Sequence, residues 1–439
     1  MDIKRRVIAP GAEVAVIPSD KFKSNYFSLN FQLPLSDEYI TQANLLSAVL
    51  IRGCEKYKTS AELGRRIAML YDPDITVRAA KTPCSLLFRV NVFFPSGRFL
   101  PAAGGRDIFD EVSALVHELL LSPLTENGEL CAVYTSGEKK NQLDNIRARI
   151  NNKDTYAAYR CEKLALGNIP FACDSLGTEE ELLKADPVSL YRLLKLILRS
   201  SRLLAVFAGD YGEHGEERIS RFIASLLGTR REEELLAPGE PVLPAKNGGA
   251  AEYTEEIDAV QSRLVLAYDM GYDIPLSPGA TAKIALFNEI FGASPVSRLF
   301  MNVRERLNLC YYCSSIQQTA TGIMYVMSGI SEKNRENVAS ETQRQLSGLS
   351  DPESITESDI LSAKENILSG YRTLPDSLVQ YAEWYISHAL SGRSCDIQEY
   401  VSAVMSVTRF DVASVASKAR LRVNYFLRGT GGGEKETDE

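Results

Sequence analysis

The 439-residue sequence predicts an α+β protein of two homologous domains, each a mostly antiparallel sheet with helices packed on one face. Three observations predict this class. Segments with alternating apolar and polar residues indicate strands, segments with apolar residues at helical spacing indicate helices, and the order of these elements in the first half recurs in the second. The sequence accordingly divides into an N-terminal domain (1–230), a linker (231–253), a C-terminal domain (254–428) and a tail (429–439).

The first half contains a helix start that is defined by side-chain chemistry. Thr59 and Glu62 have the spacing of a capping box, in which each side chain satisfies a backbone N–H of the other residue. Around it, the predicted elements of this half are strand 25–35, helix Ala43–Ile51, helix 59–71, strands 75–80 and 85–94, an amphipathic helix carrying Ile108, Val112, Leu115 and Leu119 on one face, and strand 201–210.

The second half repeats this order of elements. The predicted elements are strand 262–272, helix 281–292, helix 294–307, strands 309–315 and 324–330, helix Asn334–Leu346 and strand 420–429. Ser294 is predicted as the N-cap of the second of these helices, with Pro295 at its first position. Between the halves, residues 231–253 combine proline, glycine and charged residues, which is typical of a linker. The polar tail is expected to be disordered.

Composition and charge exclude several classes of protein. With 45% hydrophobic and 24% charged residues, the chain is neither disordered nor fibrous. A net charge of −8 argues against nucleic-acid binding, and the sequence lacks an apolar run long enough to span a membrane. The apolar stretches near the N-terminus are too short for a signal peptide, so we expect a cytoplasmic protein whose eight cysteines are free thiols. Cys310 and Cys313 fall in a predicted strand, which would place their thiols on opposite faces.

Two strings of residues carry a resemblance to a known family. Residues 43–71, ANLLSAVLIRGCEKYKTSAELGRRIAMLY, are similar to the segment that bears the inverted zinc motif HxxEH in the pitrilysin/insulinase family of zinc peptidases. Residues 294–315, SPVSRLFMNVRERLNLCYYCSS, are close to that family's SSRLFxxxREKxGLAY-like segment. The resemblance covers nearly the whole chain up to the tail. It implies the duplicated fold of the short-chain bacterial branch of this family.

The resemblance also implies that the zinc site is lost. The two zinc histidines would fall at Asn44 and Ala48, the catalytic glutamate at Ser47, and the third ligand at about Asn145, seven residues after Glu138. A catalytic zinc needs three strong ligands and an open position for water. Alanine cannot coordinate, and a serine hydroxyl is too weak a base to replace glutamate. The remaining histidines are isolated and cannot rebuild the site: His117, His214 and His388. We therefore expect no metal in this chain, and zinc only in a partner.

Arg304 and Tyr311 have the spacing of a substrate-binding pair. In active family members an arginine, and a tyrosine seven residues later, donate hydrogen bonds to the substrate carbonyl, so the resemblance implies this role for the pair. The alternative is structural: Arg304 pairs at its helix end and Tyr311 packs in the sheet. The neighbouring Arg306 and Tyr312 are competing choices for the same roles.

The pattern of loss and retention suggests a function. In the short-chain branch two chains form a clamshell, and in some pairs only one chain holds zinc. We expect a catalytically inactive subunit that pairs with an HxxEH-bearing paralogue or with itself, shapes the chamber and binds peptide along a strand near Asp74–Ala80. Two alternatives are a scaffold protein with no role in proteolysis and an active metallopeptidase that uses other ligands, such as Asp144 or Glu138.

Overall fold

The chain forms two compact units, each assembled from separate segments. The computed structural model describes residues 3–100, 107–228, 235–245, 249–272 and 276–431. Unit 1 comprises Met1–Arg147, Cys173–Glu240 and Leu374–Leu390, and unit 2 comprises Ala148–Ala172, Pro241–Thr373 and Ser391–Glu439.

These units differ from the contiguous domains 1–230 and 254–428 by an exchange of two segments, and the predicted linker, 231–253, is divided between them at residue 240. Residues 148–172 group with unit 2, and residues 374–390 group with unit 1. Of the predicted tail, 429–439, residues 432–439 lie outside the described part of the chain.

Unit 1 contains a six-stranded sheet in the order β1-β2-β8-β3-β5-β4. Neighbouring strands are antiparallel except β2 and β8, which are parallel. Its strands are β1 (Lys4–Ala9), β2 (Ala12–Pro18), β3 (Ser24–Leu33), β4 (Asp74–Lys81), β5 (Leu86–Pro95) and β8 (Arg202–Gly209), and the two-residue strands β6 (Thr125–Glu126) and β7 (Glu129–Leu130) form a separate small hairpin.

The helices of unit 1 pack on both faces of this sheet. They are α1 (Asp37–Leu50), α2 (Ser60–Met69), α3 (Ile108–Leu121), α4 (Ala132–Ala148), α6 (Glu179–Lys184), α7 (Pro187–Ser200), α8 (Gly215–Leu227) and α12 (Leu378–Leu390). One face of the sheet buries Phe27 and Phe88 in a core shared with α1, α3, α7 and α8. Helix α12 packs on β8 and β3.

Unit 2 contains a five-stranded sheet in the order β11-β12-β10-β13-β9, in which only β13 and β9 are parallel. Its strands are β9 (Ala251–Ile257), β10 (Ser262–Asp269), β11 (Tyr312–Gln318), β12 (Ile323–Ile330) and β13 (Arg420–Gly429). Its helices are α5 (Lys153–Leu166), α9 (Pro278–Asn288), α10 (Arg335–Gly348), α11 (Glu357–Thr373), α13 (Ile397–Ser406) and α14 (Arg409–Lys418), with π-helical segments at Glu289–Ala293 and Leu299–Arg306.

Helix α5 explains why residues 148–172 belong to unit 2. Ala157, Cys161 and Ala165 are fully buried and pack with Val265 and Tyr425 in a second apolar cluster of this unit. Small side chains on α5 let the helix lie close to β10 and β13. The α+β class is thus confirmed, and each sheet carries helices on both faces rather than on one.

Of two helix starts predicted from the sequence, one is confirmed and one is wrong. The capping box is confirmed: the Glu62 N–H donates to the Thr59 hydroxyl at 3.2 Å, and the Thr59 N–H donates to the Glu62 carboxylate at 3.1 Å. The helix predicted to begin at Ser294 is wrong in its start, because a turn precedes it and the π-helix runs over Leu299–Arg306. No helix of the described residues has the length and apolar content needed to cross a membrane.

Candidate functional site

The positions that resemble a zinc motif lie on helix α1 and are occupied by groups with other partners. The Asn44 amide donates to the Ser175 carbonyl at 2.9 Å, and the buried Ser47 hydroxyl donates to the Ala43 carbonyl at 2.7 Å, one turn back on the same helix. The Ala48 side chain has no donor atom. These contacts are those of a helix docked against its surroundings, and none of the three side chains presents a strong ligand.

The acidic position that precedes the lost third ligand forms an ion pair. Glu138, on α4, is 9% exposed, and its carboxylate accepts from Arg52 Nε at 2.5 Å and from Asn141 Nδ2 at 3.2 Å. Asp144 and Asn145 lie further along the same helix, both exposed. The Glu138 carboxylate is therefore neutralised by a guanidinium.

The donors at these positions do not fit a catalytic zinc. Asn44 and Ser47 are already hydrogen-bonded, Ala48 has no ligand atom, and Glu138 is bound to Arg52. In the described parts of the chain, no three histidine, cysteine, aspartate or glutamate side chains are grouped closely enough to hold a metal ion. The residues at the HxxEH positions therefore cannot support the zinc-dependent hydrolysis of a peptide bond.

Arg304 lies in the π-helix Leu299–Arg306 of unit 2. The widened turn is visible at its end, where the Leu307 N–H donates to the Asn302 carbonyl, five residues back, at 3.2 Å. The Arg304 guanidinium lies 4.6 Å from the centre of the Phe300 ring and 3.5 Å from the Glu305 carboxylate, and its side chain is 41% exposed. The cation is thus held on an aromatic face while part of it stays accessible.

Tyr311 follows this helix at the start of edge strand β11. Asn308 takes a left-handed conformation, with φ of 48°, that ends the helix and turns the chain toward the strand. The Tyr311 N–H donates to the Gly329 carbonyl at 2.9 Å, which fixes its backbone beside β12, yet the residue is 67% exposed. Tyr312, its neighbour, instead donates its hydroxyl to Asp154. Arg304 and Tyr311 therefore occupy consecutive elements of unit 2, and both have accessible side chains.

The placement of Cys310 and Cys313, which lie next to Tyr311, differs from the one predicted from the sequence. Cys310 precedes β11 rather than lying in it, so the alternation of a strand does not apply, and both thiols are buried in the same apolar core. A hydrogen bond with Cys313 lowers the pKa of Cys310, and the charge of Arg304 acts in the same direction against the effect of burial.

A buried polar network on the second face of the unit 1 sheet was not predicted. Arg89 on β5 donates from Nη1 and Nη2 to the two carboxylate oxygens of Glu383 on α12, at 2.9 and 2.7 Å, and from Nε to Asn30 at 2.7 Å. The Tyr26 hydroxyl donates to the same carboxylate at 2.5 Å. Burial opposes ionisation of Glu383, but the hydrogen bonds and charge of Arg89 dominate and lower the pKa of that carboxyl.

The sequence signal for this network was the alternation of polar residues along two strands. Ser28 and Asn30 on β3, with Arg89 and Asn91 on β5, alternate with apolar residues. Such alternation usually indicates that the polar side chains lie on the face of the sheet exposed to solvent. Only the assignment of α12 to unit 1 reveals that this face is covered.

Comparison with known proteins supports the resemblance. The family described as Peptidase M16 inactive domain matches residues 188–367. The chain is 24% identical over 423 residues to a Bacillus subtilis (strain 168) protein named "Probable inactive metalloprotease YmfF", covering 96% of this chain and 97% of that protein. A structure of a conserved protein from Enterococcus faecalis V583 matches with a TM-score of 0.88 at 25% identity, over 98% of this chain and 99% of that chain. A peptidase M16 inactive domain from Pseudomonas fluorescens matches in fold, with a TM-score of 0.77, 16% identity and 98% of both chains covered.

These matches and the residues on α1 lead to one conclusion. The two solved structures share the fold of essentially the whole chain, and two of the three related proteins are described as inactive. The positions of the HxxEH motif hold Asn44, Ser47 and Ala48, which cannot bind and activate a zinc-bound water. The chain therefore has the fold of proteins described as peptidase M16 inactive domains, and it lacks the HxxEH side chains that would bind zinc.

Proposed function

We propose that this chain is the non-catalytic subunit of a peptidase pair. Its partner is an HxxEH-bearing paralogue, with a second copy of the chain as the alternative, and the two chains enclose a chamber for peptides. This subunit shapes the chamber, holds peptide along β4 and supplies Arg304 and Tyr311 in trans to a peptide carbonyl at the partner's zinc. The zinc belongs to the partner alone.

The exposure of Arg304 and Tyr311 is the observation that carries this proposal. A tyrosine kept only for packing would be buried, whereas Tyr311 is 67% exposed. Arg304 forms an ion pair with Glu305 at 3.5 Å, as expected for an arginine at its helix end, but its side chain remains 41% exposed and can still donate to a second acceptor. A guanidinium and a phenol that both reach solvent can donate to a carbonyl oxygen as it gains negative charge.

The free edge of β4 supports peptide binding. This strand ends the sheet of unit 1, so its outer N–H and C=O groups are available for pairing with an extended peptide. The opposite end strand, β1, is exposed along most of its length and carries Lys4, Arg5 and Arg6, charges that discourage pairing. Strand β4 is thus the better template of the two.

The cysteines support a location in the cytoplasm. None of the eight cysteines forms a disulfide, and six of them are buried, as expected for a protein that folds in a reducing compartment.

Purification from the native cell tests the pairing. The chain is isolated at its natural level and the proteins that co-purify in equal amount are identified by mass spectrometry. A similarly sized relative with an intact HxxEH motif supports the proposal. Recovery of the chain alone as a monomer, or within an unrelated complex, contradicts it.

Substitution of the retained pair tests the role in trans. With the reconstituted complex, Arg304→Ala combined with Tyr311→Phe is expected to lower peptide turnover at least about tenfold, because two donors to the developing oxyanion are lost. Assembly, measured by light scattering, should be unchanged. The matched control is Arg306→Ala, an exposed arginine two residues further along. Equal turnover in all three proteins would favour the scaffold function instead.

Metal analysis tests the remaining alternative, an active peptidase with other ligands. We expect far less than one zinc per chain after purification without chelator, because Glu138 is paired with Arg52 and α1 offers no imidazole. A stoichiometric zinc that is lost on Asp144→Asn would show that the chain holds its own metal.

A further inference from the structure

A cleft runs beside β4 on the face of the sheet that α12 covers. Its volume is about 390 Å³, and all of its lining residues belong to unit 1: Tyr26, Asp74, Thr76, Arg78, Asn91, Phe93, Val379 and Glu383. Three of these are alternate residues of β4 itself. The cleft therefore lies on the same face of the sheet as one set of side chains of a peptide strand paired with β4, and its rim at Asp74, Thr76 and Arg78 adjoins those side chains.

The two faces of β4 have different chemistry. Ile75, Val77 and Ala79 pack against the apolar core of unit 1. The alternate residues Asp74 and Arg78 line the cleft with opposite charges. In a paired strand, the residue directly opposite each of these lies on the same face. A peptide on this edge thus meets apolar neighbours on one side and two charges on the other.

The two charges of the cleft are available to a ligand. The Asp74 carboxylate forms no ion pair or hydrogen bond with the other residues that the structure describes. Arg78 lies 4.0 Å from Glu383, but the oxygens of that carboxylate already accept hydrogen bonds from Arg89 and Tyr26. The Arg78 side chain is 54% exposed. The negative and positive groups are four residues apart, or about 13 Å along the strand.

Phe93 adds an apolar surface at the acidic end of the cleft. It is the register partner of Asp74 on β5, and it is 41% exposed. An aromatic ring beside a carboxylate is a good surface for the alkyl chain and cation of a lysine or arginine.

We propose that β4 selects peptides by a charge pattern. The peptide pairs antiparallel to β4, the more stable arrangement and the one that β5 already uses. It carries a glutamate or aspartate opposite Arg78 and, four residues later, a lysine or arginine opposite Asp74. The two residues that face Val77 and Ile75 are apolar, and the one opposite Thr76 is small and polar. This inference rests on the proposed function, because it assumes that a peptide binds the edge of β4.

Three labelled peptides of equal length test the pattern with the full chain at low ionic strength. The matched peptide has the core Glu-Val-Thr-Val-Lys, the reversed peptide Lys-Val-Thr-Val-Glu, and the neutral peptide Gln-Val-Thr-Val-Gln. Fluorescence anisotropy titrations are expected to rank them matched, neutral, reversed, with about a tenfold difference in Kd between the first and last. A preference for the reversed peptide would mean parallel docking and would overturn the proposal.

Variants of the cleft assign the charges to their residues. Asp74→Arg should invert the preference for lysine over glutamate at the last core position and leave the first position unaffected. Arg78→Gln should remove the preference at the first position only. Asp74→Asn is the conservative second variant, and the emission of Trp384, which lies on α12, verifies that each protein is folded. Preferences that persist in these variants would contradict the assignment to this cleft.

N-methylated peptides test separately whether a peptide pairs with β4 and whether it is selected by its charge pattern. Methylation of alternate amides, in two complementary versions, blocks one or the other set of backbone donors. If one version of the matched peptide loses binding while charge order has no effect, peptide pairing stands and the charge pattern is refuted. If none of the unmodified peptides binds, peptide binding at β4 fails, and the inference fails with it.

Discussion

The contact of α12 with the sheet of unit 1 depends on Arg89, and replacing this residue tests how strongly. Arg89→Met keeps the length of the aliphatic chain and removes the guanidinium. The substitution deletes two hydrogen bonds to Glu383 and one each to Asn30 and Ser28. The Glu383 carboxylate then keeps only the Tyr26 hydroxyl as a close donor, with Arg78 at 4.0 Å.

The expected cost follows from the burial of the two groups. Removing one partner of a buried ion pair costs about 3–5 kcal/mol because the other charge is left uncompensated. The Arg89 side chain is 7% exposed but that of Glu383 is 31% exposed, so water and Arg78 relieve part of the penalty. We therefore expect Arg89→Met to lower the free energy of unfolding by about 3 kcal/mol, near the lower bound of this range. For a unit of this size the Tm should fall by roughly 6–12 °C.

The assay uses the one tryptophan of the chain. Trp384 directly follows Glu383 on α12, so its emission reports the release of that helix during urea or thermal unfolding. The matched control is Arg78→Met, which removes a mostly exposed arginine near the same carboxylate and should cost at most about 1 kcal/mol. Equal midpoints for the two variants would refute the idea that Arg89 fastens α12.

Three further perturbations have expected outcomes. Gly209→Ala should lower the unfolding free energy by about 2 kcal/mol or more, because φ is +125° and an added Cβ would lie 2.2 Å from the Asn25 side-chain oxygen; an unchanged Tm would contradict this. Thr59→Ala should cost about 1 kcal/mol through loss of the capping box, measured by urea unfolding. The lowered pKa of Glu383 means that its carboxylate stabilises the folded state fully above the ordinary glutamate value of about 4.3 and loses this effect as the pH falls. The difference in unfolding free energy between the native chain and Glu383→Gln should therefore narrow below about pH 4, and a constant difference would exclude this origin.

Local sequence signals predicted most of the long strands and several helix starts, but not β1, β2 or β9, and β9 begins inside the predicted linker. The alternation in β3, β5 and β10 and the capping box at Thr59 depend on neighbouring residues only, which the sequence displays directly. The exchange of 148–172 and 374–390 between the units was not predictable in this way. The exchange depends on which sheet a helix packs against. Nothing in the local sequence of α5 or α12 indicates that sheet.

The candidate site likewise has features that residue types predicted and features that only the structure shows. The loss of zinc ligands at Asn44 and Ala48 was evident from residue types alone. The pairing of Glu138 with Arg52, two residues 86 positions apart, required the structure. The start of the helix that carries Arg304 was misplaced because Ser294-Pro295 resembles a helix cap, whereas the Ser294 hydroxyl donates back to the Glu289 carbonyl and the helix forms later with widened turns.

The exchange of α5 and α12 constrains how the protein can be made. The sheet of unit 1 is complete in sequence once β8 ends at Gly209, but the helix that neutralises Arg89 begins only at Leu378. At ribosomal speeds of about 5–20 residues per second, the nascent unit waits roughly ten to thirty seconds with a bare guanidinium on its surface. A fragment that stops at the linker would never receive this helix, so expression of the N-terminal half alone should yield an unstable, chaperone-dependent product. Unit 1 is therefore completed only when the chain has been made as far as α12.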